Sequence, residues 1–464
     1  MRKIIMFIAA SALLSGCSVY RNFERPEVET QNLYRDADSL HVEADTASLG
    51  DLPWQDVFRD PQLQRLIGQG LESNVDLQSA HLRVEQAAAS LMSARLAFLP
   101  SLTLSPEGAL ARYDGVTSKS YGTPLAASWE IDLFGGLHNA KQRSKAALAQ
   151  SEAYRQAVRT QLIATIADGY YTLLMLDRQL AISRQTAENW KESVETMRSL
   201  KEAGMTNEAA VAQSEASYRS IRASIPDLEY RIREAENALC SVLGQAPQAI
   251  LRGKWDTLAL PEKISTGIPL RLLSARPDVQ QAEMALASAY YTTNEARAAF
   301  YPRITINGTG SWTNSAGAAI ANPGKLLLSA VGSLVQPIFN RGLNRAKLRI
   351  AKAQQEEALL NFQQSLLDAG REVSDACYRY TQSERKLVER QEQLTALHSS
   401  VDATQELMRN SGATYLEVLT AQQSLLAAQL SEVEDRFEQV AAIITLYRAL
   451  GGGRETELST SDKE

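Results

Sequence analysis

The sequence is poor in the residues that chemistry and metal binding draw on. Its 464 residues include four histidines and three cysteines. They are scattered at His41, His81, His138, His398, Cys17, Cys240 and Cys377, which excludes a Cys/His zinc site and a disulfide-dense scaffold. There is no GxSxG, no P-loop, no HExxH and no Cys-His constellation, so no catalytic residue, metal ligand or bound cofactor is assigned. Eight methionines without clusters give no support to a soft-metal role. A net charge of −6 is not that of a nucleic-acid binder. No apolar run reaches the ~18 residues of a membrane-spanning helix, so passage through a bilayer would require a β-barrel. With 44% hydrophobic residues the chain is built to fold.

The N-terminus carries an address. Arg2 and Lys3 precede an apolar stretch from Ile4 to Leu14 that is too short to span a membrane, the form of a signal peptide over residues 1–16. Leu14-Ser15-Gly16-Cys17 resembles the bacterial lipobox, which implies cleavage before Cys17 and acylation of it. A covalent lipid on Cys17 is then the only non-protein group expected, and several acyl chains anchor a protein firmly. An aspartate after the cysteine would resemble an inner-membrane retention signal. Ser18 stands there instead, which favours the outer membrane of a Gram-negative cell.

An internal repeat governs the rest. Ala94-Arg95-Leu96-Ala97-Phe98-Leu99-Pro100 corresponds to Ala296-Arg297-Ala298-Ala299-Phe300-Tyr301-Pro302, Asp168 and Tyr171 to Asp375 and Tyr378, and Leu243-Gly244 to Leu450-Gly451. The copies span 62–244 and 268–451. In each, a helix (62–98; 270–299) runs to a proline that stops it. Strand-like runs follow, with period-two alternation in 125–133 and 303–312 and loops expected at 113–123 and 314–325. A very long helix comes next (136–201; 343–409), then a turn and a returning helix (207–243; 415–449). From Leu359 through Phe362, Leu366, Ala369 and Val373 to Met408 a 3-4 spacing is sustained, twelve of its fifteen positions apolar or aromatic, which argues for coiled-coil packing. The long helix would measure on the order of 100 Å. Four strands per chain cannot close a barrel, for which about eight is the minimum. Three chains would supply twelve strands and twelve helical struts around a tunnel.

Trp54, Phe58, Asp60-Pro61 and Leu63, with Asn74-Val75-Asp76-Leu77, Ala275-Arg276-Pro277-Asp278-Val279 and the closing Tyr447-Arg448-Ala449-Leu450-Gly451, resemble the outer membrane factor (TolC-like) family, and the lipobox points to its lipoprotein branch. The resemblance implies a mixed α and β membrane protein: a homotrimer with a twelve-stranded transmembrane β-barrel continued by a periplasmic α-helical coiled-coil barrel. It also implies an equatorial belt, which here would comprise residues 17–61, the 245–267 linker and the 452–464 tail. The expected function is the exit duct of a tripartite efflux pump, conducting small molecules delivered by a periplasmic adaptor and an inner-membrane pump, RND-type favoured. A type I protein-secretion duct and a lipid-anchored periplasmic adaptor are the alternatives; the four strands and the duplication argue against the adaptor.

The turns at 203–213 and 411–421 would form the periplasmic mouth, with Gly204, Thr206, Glu208, Gly412 and Thr414 at the tip that meets the adaptor. The family's gate commonly shows a leucine and, four residues later, an aspartate before Ala-Gln. Here Leu416 takes the leucine place, while Thr420 replaces the aspartate, leaving Glu417 and Glu208 as the acidic candidates. Leu416, Glu417 and Thr420 are the expected gate. Arg276-Pro277-Asp278 reads as a helix start. Cys240 and Cys377 read as buried free thiols. Trp54 reads as belt core, and Trp129 and Trp312 as interfacial anchors or ordinary strand aromatics.

Overall fold

The computed structural model describes residues 22–26, 49–257, 276–313, 325–410 and 414–454. The signal peptide, Cys17, the 258–267 part of the linker, the 314–324 loop, Gly412 and the tail from 455 lie outside the described residues. The chain divides into two compact units, one of Met1–Glu29, His81–Tyr154 and Asp278–Ser365, the other of Thr30–Ala80, Arg155–Pro277 and Leu366–Glu464.

The duplication is exact in helix length. The first copy contains α1 (Pro61–Ser73), α2 (Val75–Leu96), α3 (Gly136–Glu202) and α4 (Glu208–Val242), and the second contains α5 (Pro277–Ala298), α6 (Leu343–Arg409) and α7 (Tyr415–Ala449). The corresponding pairs α2/α5, α3/α6 and α4/α7 have 22, 67 and 35 residues in both copies. Sixty-seven residues make a helix of about 100 Å. The expected stripe on α6 is real: none of its fifteen positions is exposed, and Phe362, Leu366, Ala369, Val373, Ala376, Leu394 and Val401 are buried.

Two expectations required correction. The first helix of copy one is not continuous over 62–98. It breaks at Asn74, whose backbone is extended (φ −66°, ψ 127°). The Asn74 side chain explains the break: its Oδ1 accepts from the Leu77 amide at 3.0 Å, capping α2, and its Nδ2 donates to the Val242 carbonyl at 2.8 Å. Ser73 Oγ donates to the Leu243 carbonyl at 2.7 Å beside it, and Gly244, at φ +68°, lets that loop close against Ser73. The second correction concerns 113–123, expected as a loop. Residues β3 (Val116–Ile131) extend the strand to a two-residue turn, where Asp114 (φ 45°) and Gly115 (φ 76°) join the Tyr113↔Val116 pair. Positive φ at both central residues is the mirror-image turn that matches strand twist.

The sheet is antiparallel. β1 (Ser101–Leu104) and β2 (Glu107–Tyr113) both pair with β3, which pairs with β4 (Arg303–Thr313), which pairs with β5 (Lys325–Val335). β1 and β2 are one arm interrupted at Ser105-Pro106, since proline removes a ladder donor. The chain therefore contributes four strand lengths.

In the second unit, the apolar core gathers Trp54, Phe58, Leu63 and Ile67 from the N-terminal segment and α1, Ile163, Ile166, Tyr170 and Leu174 from α3, and Tyr447 and Leu450 from the end of α7. Trp54 is a buried core residue, and Phe58 meets the Tyr447 ring edge-on at 5.6 Å.

Candidate functional site

Two features have the form of a duct: the sheet and the helix turns. On the sheet, the register sorts the side chains onto two faces. Leu102, Leu104, Leu125, Ala127, Trp129, Ile304, Ile306, Trp312, Leu328, Ala330 and Leu334 share one face. Ser101, Thr103, Ser128, Glu130, Arg303, Thr305, Asn307, Thr309 and Ser333 share the other, together with Ala126, Leu327, Val331 and Val335. The polar face is internally bonded, with Ser128 Oγ on Asn307 Oδ1 at 2.8 Å and Thr305 Oγ1 against Ser333 Oγ at 2.5 Å. Leu102, Leu104, Leu328 and Leu334 are all exposed on the apolar face of the isolated chain, and contiguous exposed apolar surface of this kind marks a membrane or protein contact. Trp129 and Trp312 belong to the apolar face. Trp129 Nε1 is fixed by donation to the Phe98 carbonyl at 2.9 Å. Among the described residues β1/β2 and β5 each have a strand partner on one side only. The sheet thus has two open edges, which a protein must pair or cover.

At the first helix turn, α3 ends on Gly204 at φ +74°, with the Met205 amide donating to the Leu200 carbonyl at 2.8 Å, a left-handed C-terminal cap. Asn207 Oδ1 then accepts from the Ala210 amide at 3.0 Å and starts α4. Glu208 is not a free carboxylate, because Lys201 pairs with it. At the second turn, the Thr414 amide donates to Glu417 Oε2 at 2.7 Å, so the glutamate caps α7 as the return arm of a capping box. Leu416 is 62% exposed, and Thr420 Oγ1 donates to the Leu416 carbonyl at 2.8 Å one turn on. Expected together as a gate, these residues share one helical turn, but the two acidic candidates are both engaged locally. Sequence reasoning missed what joins the turns of the two copies. Tyr415 OH and Ser214 Oγ lie 2.8 Å apart, and Gln423 Nε2 donates to Ser217 Oγ at 3.0 Å. Paired hydroxyl and amide residues on helices of different repeats leave no periodic signal.

Away from the turns, Arg276 is buried, donating to the Ala449 carbonyl and to Glu372 Oε2 at 2.8 and 2.9 Å, while Pro277 opens α5. The structural reading of Arg276-Pro277-Asp278 therefore holds. Arg252, in the 245–257 part of the linker, is clamped by Asp177 on α3 and Glu236 on α4, which raise its already high pKa. Cys240 and Cys377 are free and buried, and burial pushes the Cys377 thiol up to about 11.

A family model described as outer membrane efflux protein matches residues 66–245 and 268–452, the two repeats in turn. The chain belongs to the outer membrane efflux protein family. The similarity runs end to end: it is 30% identical over 459 residues to the probable outer membrane lipoprotein SilC of Salmonella typhimurium, covering 97% of this chain and 98% of that one. It is also 30% identical over 472 residues to the pyoverdine export outer membrane protein OpmQ of Pseudomonas aeruginosa, covering 98% of both. Among solved structures, the outer-membrane channel OprN superposes with a TM-score of 0.84 at 27% identity, over 94% of this chain and 99% of that one. As an outer membrane efflux protein of a Gram-negative cell, the chain has the mixed α and β fold of these channels and forms the outer-membrane exit duct of an efflux pump.

Proposed function

We propose that three copies close their open-edged sheets into a twelve-stranded barrel with the apolar face toward lipid and the polar face lining the bore, continued by twelve helical struts. The observation that carries this reading is the sheet itself, with one apolar face, one face that is mostly polar and carries side-chain hydrogen bonds, and two edges lacking a partner among the described residues. The duct is passive: it conducts small molecules that an inner-membrane pump, of the RND type, delivers through a periplasmic adaptor. Acylation of Cys17 adds an anchor beside the barrel. The adaptor meets the helix tips at Gly204, Thr206, Glu208, Gly412 and Thr414. Leu416 narrows the closed mouth, with Thr420 one turn above it. Because Glu417 caps its own helix and Glu208 is paired with Lys201, the mouth carries weaker acidic character than an aspartate at position 420 would give it.

The test is in-cell crosslinking from a cysteine placed at Ala413, followed by mass identification of the captured protein. Capture of the adaptor of a proton-driven pump supports the proposal. Capture of a secretion adaptor driven by ATP moves the cargo to polypeptides, and labelling from outside the cell refutes the orientation.

A further inference from the structure

The two returning helices match in length and differ at their middle. α4 carries Pro226 inside the helix, and with the copies aligned end to end Val433 takes that place in α7. Proline has no N–H, so the Arg222 carbonyl loses its helix donor, and the ring crowds that carbonyl. Arg222 and Pro226 both lie on the exposed side of α4, where carbonyls turn readily to water. In the same turn Ser224 Oγ donates back to the Ile221 carbonyl at 2.8 Å, a local side-chain bond of the kind that competes with the helix ladder.

The proline also falls between two sets of packing partners. Beyond it, Leu228, Ile232, Leu239 and Cys240 belong to the main apolar core of this unit. Toward the tip, Ile221 packs with Ala187 and Trp190 of α3 in a separate small cluster, with Leu426 of α7 at its edge. Ile225, the residue before the proline, is partly buried and touches both. The tip half of α4 is in turn tied to α7, by Ser214 to Tyr415 and by Ser217 to Gln423. Copy two is braced at the level where copy one is weakened. Asp435, two residues past Val433, is buried and held by Lys386 and Arg390 of α6. The matching residues of copy one are Leu228, Gln179 and Ser183, which carry no charge, and Gln179 reaches across to Glu434 of α7 instead.

We propose that Pro226 is a hinge at which the tip half of α4 leans together with the α7 tip bonded to it, while the half beyond the proline stays seated in the core. Pro226 lies 18 residues from the start of α4, about 27 Å along the helix. A change of about 20° in the kink then carries the tip about 9 Å. α3, which is continuous past this level, follows by the gentle curvature that long helices allow. The inference rests on the assignment of the helix tips to the periplasmic mouth.

The test is hydrogen exchange, read by mass spectrometry, on the full-length protein in neutral detergent, with α7 as the internal reference. Residues 219–225 should be about fivefold less protected than the matching 426–432, the factor that one lost helix hydrogen bond is worth. Pro226→Val should raise their protection to that of α7. Pro226→Gly restores the N–H but keeps the helix pliable, so most of the difference should remain. In planar-bilayer recordings Pro226→Val should make mouth openings several-fold rarer, and Pro226→Gly should keep them. Equal protection of the two segments in the wild-type protein, a comparison that needs no variant, would overturn the hinge, as would openings of unchanged frequency in Pro226→Val. The expected exchange pattern in a protein that conducts nothing would instead overturn the mouth reading beneath it.

Discussion

Asp435 offers the sharpest perturbation of the helical hairpin of the second copy. Its carboxylate, 3% exposed on α7, takes Lys386 Nζ at 2.6 Å and Arg390 Nε at 2.8 Å from α6. Deleting one partner of a fully buried pair costs about 3–5 kcal/mol, because the charge left behind has no counterpart. Here the cations are better placed than that. Lys386 is 47% exposed and keeps Glu438 at 3.2 Å, so its share shrinks toward that of a surface pair, ~0–1 kcal/mol. Arg390 is 21% exposed and keeps only Gln393 through its other nitrogen, so most of a charged hydrogen bond, ~1.5–3 kcal/mol, is lost with the carboxylate. Asp435→Ala should therefore cost about 2–3 kcal/mol, or about 3–5 °C of melting temperature if the second unit, about 270 residues, melts cooperatively. The assay is thermal loss of the helical circular dichroism signal in detergent, with Asp435→Asn as an intermediate that keeps one acceptor. A cycle of Asp435→Ala, Arg390→Ala and the double variant isolates the pair, and its coupling should exceed about 1 kcal/mol. A melting point within about 1 °C of wild type, or additive single effects, would refute the reasoning.

Tyr170→Phe should loosen the junction of the N-terminal segment with the linker by about 1–3 kcal/mol, because Tyr170 OH donates to Asp60 Oδ2 at 2.5 Å and accepts from the Gly253 amide at 2.9 Å; limited proteolysis near Gly253 should rise, and an unchanged digestion pattern counts against the tie. Burial pushes the Cys377 thiol up to about 11, and burial followed by Glu384 pushes the Tyr380 hydroxyl up to about 12. Both neutral forms are favoured in the folded state, so their stabilisation is complete below the ordinary values of 9.0 and 10.0 and drains away as pH climbs toward 11–12. The helical melting point should fall across that window, and a flat profile from pH 8 to 11 would contradict it. Maleimide should leave Cys240 and Cys377 unlabelled in the native protein and label both after denaturation. Thr420→Asp should increase the preference of the duct for cations in planar-bilayer recordings, and unchanged ion selectivity would remove Thr420 from the constriction.

The long helices and their returning partners were legible to within a residue or two because their signal is repeated along the chain, whereas the first helix of copy two, expected from 270, begins at Pro277. The 343–409 helix follows a stripe of fifteen positions that all turn inward, and the proline after each first helix ends it locally. The break at Asn74 was not legible. The groups that make it worthwhile, the Val242 and Leu243 carbonyls, lie about 170 positions away in sequence. The outer half of β3 was misread for another reason. Thr117, Ser118, Lys119, Ser120 and Gly122 have the composition of a loop, and only the Asp114-Gly115 turn betrays the hairpin. Position and residue type singled out Leu416 and Thr420 only as candidates, and the engagement of Glu417 and Glu208 by their neighbours needed coordinates. Trp54 was legible as a core residue, yet nothing in the spacing showed that Tyr447 would receive the neighbouring Phe58.

The central claim is that this sheet is a fraction of a barrel completed by other copies. The direct measurement is the native mass of the purified protein in detergent, set beside its mobility in denaturing gels with and without heating. The account predicts a mass of three chains and a compact, heat-modifiable form. A single folded chain of native mass, released from membranes once its lipid is removed, would contradict it.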